Sequence, residues 1–256
     1  MDGRTQGILS TVVREYIRRA EPIGSEWLAE SFNFGIAAAT MRQELARLDE
    51  SGYLMQPHTS AGRVPTDKGY RFFVNLLLVE ERRGHERLLQ AMLRQAEAFE
   101  RERQDIMRAA AQWLGEHSRN LGMVGLSGGE DGVLRRGSGQ MLYAFGFKQL
   151  LRQPELGDVQ YLAQAFSLFE SIEERIADLV DRVPTDATSV FIGRENPLRE
   201  ARQWSMVVGQ FERAGGPGMV AIAGPTRMDY DRNIALVEAM RQFLTANQEL
   251  RIRNDE

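Results

Sequence analysis

The stretch from Gln56 to Thr66, QPHTSAGRVPT, gathers the residue types that do chemistry in this chain. His58 and Ser60 stand two apart, a spacing that invites a general base beside a nucleophile. Thr59, Ser60, Gly62 and Arg63 instead suit contact with an anion: two hydroxyls, a residue that lets backbone approach closely, and one cation. The catalytic reading lacks a nucleophile-elbow motif, and a triad is defined by geometry rather than spacing. His85 and His117 are remote from His58, no dense metal-ligand spacing occurs, and the chain has no cysteine. No catalytic residue, metal site or cofactor is therefore expected. Carboxylate pairs such as Asp49-Glu50 and Glu173-Glu174 sit on amphipathic stretches and read as solvated helix faces.

A second set of candidate contact residues lies just upstream. Ala37-Ala38-Ala39-Thr40 opens a helical pattern in which Met41, Leu45 and Leu48 share one face, leaving Arg42, Gln43 and Arg47 on the other. Small residues at such a helix start let the backbone sit deep in a major groove, while Arg and Gln side chains read base edges. The same Arg42 and Arg47 would equally suit a solvent-exposed face with Glu44 and Glu50 as neighbours.

Residues 1–75 are the elements that must position both sets. Ile8, Leu9, Val12, Val13, Tyr16 and Ile17 predict a first helix, and EWLAESF after Gly24-Ser25 predicts a short second one, with Ser25 as its N-cap. The third ends at Ser51-Gly52, where glycine terminates a helix. Tyr53-Leu54-Met55 and Arg63-Val64 then read as short strands on either side of the loop, before a helix from Thr66-Asp67. That order is a winged helix-turn-helix, with a small helical bundle as the other reading. The segment holds nine basic and nine acidic side chains, so its affinity for nucleic acid would need specific contacts and two copies. From 57 to 75, however, Arg63, Lys68 and Arg71 face only Asp67.

Residues 76–122 read as a long linking helix: Leu89, Met92, Ala96, Phe99, Arg103, Ile106, Ala110, Trp113 and His117 fall alternately three and four apart. Such a seam packs on a partner helix, within the chain or from a second copy, and dimerisation is the expected use. A glycine-rich connection, 123–140, follows; it lacks the Gly-Lys-Ser/Thr of a phosphate loop. Residues 141–256 mix a helix marked by Val159 to Leu179, β-rich runs at 189–193, 205–211 and 219–224, and a last helix from Tyr230. The fold class is therefore mainly α with an α+β C-terminal part. The formal net charge of −4 argues against non-specific attraction to nucleic acid, and no apolar run is long enough to span a membrane. The absence of cysteine fits a reducing cytoplasm.

ILSTVVREYI, EPIGS, AATMRQELARLDESGYL and QPHTSAGRVPTDKGYRFFV together resemble the N-terminal domain of the heat-inducible transcription repressor HrcA family. LLRQPELGD (150–158), IGRENPL (192–198) and AGPTRMDY (223–230) match its later segments in order. The resemblance implies a dimeric winged-helix repressor that binds an inverted-repeat operator of double-stranded DNA upstream of chaperone operons, with a GroEL-type chaperonin as a further partner. It places the recognition helix at 37–50, with Thr40 and Arg42 matching the family's Ala-Thr-x-Arg, and the wing at 58–63. The C-terminal part would be a GAF-like remnant. Family members carry an inserted dimerisation domain before the QPE segment; only residues 121–148 occupy that interval here, so this is a shortened form. The other regulator that the residues allow is a winged-helix protein whose 141–256 domain senses a small molecule and controls unrelated genes.

Overall fold

The computed structural model describes residues 1–80, 106–127, 141–213 and 216–255. It divides into two compact units, Met1–Glu80 and Glu81–Glu256.

In the first unit, α1 (Gly3–Arg19) is capped by Asp2, whose carboxylate accepts from the Thr5 amide at 2.8 Å, and buries Ile8, Leu9, Val12 and Val13. α2 (Ser25–Ser31) begins after Gly24, so Ser25 is its first helical residue rather than its cap. α3 (Ala38–Glu50) ends as expected at glycine. Gly52 adopts φ 74°, its amide bonds Asp49 O and the Tyr53 amide bonds Leu48 O, the paired arrangement of a Schellman turn. β1 (Leu54–Met55) and β2 (Val64–Pro65) pair antiparallel, and Arg63 forms an isolated bridge with Ile23 on the other side. Thr66 then accepts from the Gly69 amide and starts α4 (Asp67–Glu80), which runs five residues beyond the expected boundary at 75.

The second unit is built on a five-stranded antiparallel sheet in the order β4-β3-β7-β6-β5. Its strands are β3 (Leu121–Leu126), β4 (Met141–Phe145), β5 (Ser189–Ile192), β6 (Trp204–Arg213) and β7 (Gly216–Pro225). α5 (Ile106–Ser118) and α9 (Tyr230–Asp255) pack on the sheet and on each other. α6 (Phe147–Leu150), α7 (Val159–Glu174) and α8 (Ile176–Val180) belong to the core of the opposite face. Leu121, Met123, Met219, Ala221 and Ala223 point to that opposite core with Leu168, Ile172 and Trp204. The alternation along β3 and β7 leaves the residues between them for α5 and α9.

Two expectations are corrected here. Helices predominate among the described residues, but the sheet is larger than expected: it takes in β3 and β4, which the expected boundaries give to the end of the long helix, the glycine-rich connection and its margin. LGMVGL hides its strand character because Gly122 and Gly125 dilute it. Gly122 is required by packing, since a Cβ there would lie 2.4 Å from the Gly115 nitrogen and 2.6 Å from Leu114 Cβ of α5. The helical seam, in its described part, serves this unit: Ala110, Trp113 and Leu114 of α5 are buried within it, where α5 packs on the sheet and on α9. Leu89, Met92, Ala96, Phe99 and Arg103 lie outside the described residues, as do positions 128–140 of the connection.

Half-buried Glu238 of α9 ties this helix to the loop before β5. Burial pushes its carboxyl up, but donors from Arg241, Thr188 and Gln242, with the Arg241 charge, outweigh that and hold it below its usual 4.5. A depressed carboxylate adds stability above its unfolded value that is lost as pH falls through the folded one. The second unit is therefore expected to lose stability progressively below about pH 4.5, and Glu238→Gln to flatten that loss. Denaturant titrations of both proteins from pH 7 to 3 check this; parallel curves would refute it.

Candidate nucleic-acid interface

The loop between β1 and β2, one edge of α3 and the start of α2 line an open cleft of roughly 580 Å³. Arg42 and Leu45 line one wall, Ile23 to Glu26 a second, and Gln56 with Thr59 to Arg63 the third. Of the sequence candidates, the fold thus brings together Arg42, Thr59, Ser60, Gly62 and Arg63. Ala39, Gln43 and Arg47 are exposed along α3, Thr40 is half-buried at its first turn, and His58 is exposed at the loop tip.

The loop is held by atoms that the sequence reading did not single out. Gln56 donates from Nε2 to Thr59 O at 3.0 Å and Ala61 O at 2.8 Å, while the Ala61 amide bonds His58 O at 2.9 Å. The Arg63 amide and carbonyl exchange two 2.9 Å hydrogen bonds with Ile23. Gly62 is needed for proximity. A Cβ there would meet Ile23 main-chain atoms at 2.4 Å, and its φ lies outside the left-handed region, so close approach and not a turn conformation is what requires glycine here. No local pattern betrays these partners; only the position of Gln56 at the strand end hints at a clamp.

The cations differ in how free they are. Arg42 Nη2 lies 3.6 Å from Glu26 Oε1 with both side chains about three-quarters exposed, a pairing worth little in water. Arg47 reaches Glu44 of its own helix at 3.1 Å; Glu44 also accepts from Thr5 and is buried, being three residues after Met41 and four before Leu48 on the core face. This corrects its reading as a solvated neighbour. Arg63 is the larger correction: its Nε sits 2.8 Å from Asp49 Oδ2 and its side chain is only 18% exposed, so it is no free cation of the loop. Lys68 caps the far end of α3 through Ser51 O at 2.8 Å and lies over the Tyr53 ring, away from Arg42. Arg71 is half-buried on α4. Among the described residues no cluster of His, Cys, Asp or Glu could hold a metal, and no helix is long and apolar enough to cross a membrane.

A family profile described as the HrcA protein C terminal domain matches residues 79–234, more than half of the chain. The chain belongs to the HrcA family. A relative from Natranaerobius thermophilus, named heat-inducible transcription repressor HrcA, is 29% identical over 96% of this chain and 96% of its own length. A relative of the same name from Thermodesulfovibrio yellowstonii is 24% identical over 96% and 97%. A crystal structure described only as a hypothetical protein shares the fold, with a TM-score of 0.76 and 18% identity, over 96% of this chain and 99% of that one. The Natranaerobius alignment runs to 335 positions, more than the 256 residues here, so that relative carries residues without counterpart in this HrcA-family chain. This agrees in direction with a shortened form.

Two of the segments that resemble HrcA meet in the second unit. Arg227 of AGPTRMDY donates to both carboxylate oxygens of Glu155, at 2.8 and 3.2 Å, and to Gln153 at 3.0 Å. With side chains 11% and 27% exposed, Arg227 and Glu155 anchor the loop after β7 to the turn before α7.

Proposed function

We propose that this HrcA-family chain is a sequence-specific DNA-binding repressor of transcription that acts on heat-shock (chaperone) operons as a homodimer on an inverted repeat. The observation that carries the reading is the shared cleft: one wall is the edge of α3 that carries Arg42 and Leu45, the other a clamped loop bearing Thr59 and Ser60. In this reading the first unit is a winged helix-turn-helix, α3 enters the major groove, and the wing hydroxyls meet phosphate. The second unit is a GAF-like module. Two half-sites need two copies, which also supplies the affinity that a charge-balanced domain lacks. Such a regulator works in the cytoplasm, where its operator is. Sensing of a small molecule on the α7 face of the sheet is less favoured, because Leu168, Ile172, Trp204 and Met206 fill that face.

Titration of the chain against duplexes from upstream of the organism's own chaperone genes, with its mass measured in solution, tests the proposal. Preference for an inverted repeat and a mass of two chains are expected; a monomer without preference would refute it. Arg42→Ala is expected to reduce the preference for operator over random duplex by about 1–3 kcal/mol, the worth of one good bidentate base contact. An equal loss on both duplexes would make Arg42 a phosphate contact instead.

A further inference from the structure

Arg63 is the one charged residue of the loop, and its type suggests a phosphate contact. Its surroundings indicate otherwise. Asp49, its partner at 2.8 Å, stands in the last turn of α3, where the helix dipole disfavours a carboxylate and a neighbouring cation is needed. The pair is largely withdrawn from solvent, with side chains 18% and 34% exposed. Moving Arg63 onto a phosphate would strip Asp49 of that cation. The main chain of Arg63 is fixed as well, hydrogen bonded to Ile23 on one side and continuing into β2 on the other.

We infer that Arg63 is a positioning residue: through Asp49 it locks the wing to the C-terminal half of α3, so that loop and helix meet one duplex in a fixed relative geometry. The inference rests on the DNA-binding reading above. Its contribution is to specificity, while the salt dependence of binding arises from exposed, weakly paired cations, Arg42 first among them.

The test uses the full chain with Arg63→Ala, Asp49→Asn and the double variant; Asp49→Asn keeps the shape of the side chain, removes its charge and exchanges one acceptor oxygen for an NH2 donor. Amide hydrogen exchange at positions 58–63, measured without DNA, is expected to accelerate in both single variants and no further in the double. Preference for the inverted repeat over random duplex should fall roughly fivefold or more in each single variant, with the double no worse, as for two groups acting through one contact. The salt slope should stay unchanged. A phosphate contact gives the opposite pattern: Arg63→Ala lowers the slope by about 1, and Asp49→Asn, which frees the cation, strengthens binding to every duplex. That result, or unchanged exchange in the wing, overturns the inference. A wild-type chain with no preference for the repeat would sink the DNA reading itself, and the exchange measurement would still report separately on the Asp49–Arg63 lock.

Discussion

Gly62→Ala is expected to undock the wing, lowering operator affinity at least about tenfold and destabilising the first unit by roughly 1–3 kcal/mol, the usual range for overpacking. The added Cβ would lie 2.4 Å from the carbonyl carbon and oxygen of Ile23 and 2.8 Å from its nitrogen. These are main-chain atoms, held by two hydrogen bonds to Arg63, so no flexible side chain can swing aside. Ile23 itself is buried, and the first unit has no slack there. Gly24 supplies the control: its Cβ position is open, and its φ of −86° suits any L residue. Gly24→Ala should therefore change the stability of the first unit and the docking of the wing little. Binding titrations and thermal melts of the two variants decide the matter, and a Gly62→Ala protein that behaves like Gly24→Ala would remove the close-approach account of the wing.

Asn196→Ala is expected to destabilise the second unit by about 2 kcal/mol and to lower its Tm by several degrees. Asn196 is 6% exposed, and its Nδ2 lies 2.9 Å from Gly193 O, 2.9 Å from Ala201 O and 2.7 Å from Trp204 O. One amide thus ties the turn after β5 to the start of β6, so the two strands meet in register. Truncation leaves buried carbonyls without that donor, and the backbone cannot turn them to water. The loss is smaller than three full hydrogen bonds, because Asn196 Oδ1 is itself buried without a partner and its removal offsets part of the cost. Asn196→Asp, which keeps the shape but deletes the donors and adds charge, should be worse. Calorimetric melts within a degree of wild type for both variants would show that the loop is held by something else.

Much of this protein is legible in its sequence. The periods of α1 and α3, the glycine stop at Gly52, the β-rich runs of β5 to β7 and the start of α9 follow from local rules. The same residues carried the resemblance to HrcA. β3 and β4 were not legible: Gly122 is a poor strand residue chosen for how closely α5 must lie on the sheet, a demand that only the partner element imposes. Glu44 and Asp49 were read as solvated because charge type is a statement about average surroundings, and the fold turned one into the core face and the other toward Arg63.

The wing shows the division most sharply. By itself the sequence determined that a polar, proline-bounded loop with two hydroxyls, a glycine and one arginine follows a helix bearing Arg42, Gln43 and Arg47. Local pattern suffices for that, since periodicity and turn residues act over a few positions. Only the tertiary structure decided that Gly62 serves the Ile23 backbone and that Arg63 belongs to Asp49. Both partners lie more than ten residues away in sequence, and such pairings are set by how elements pack, which no local spacing encodes.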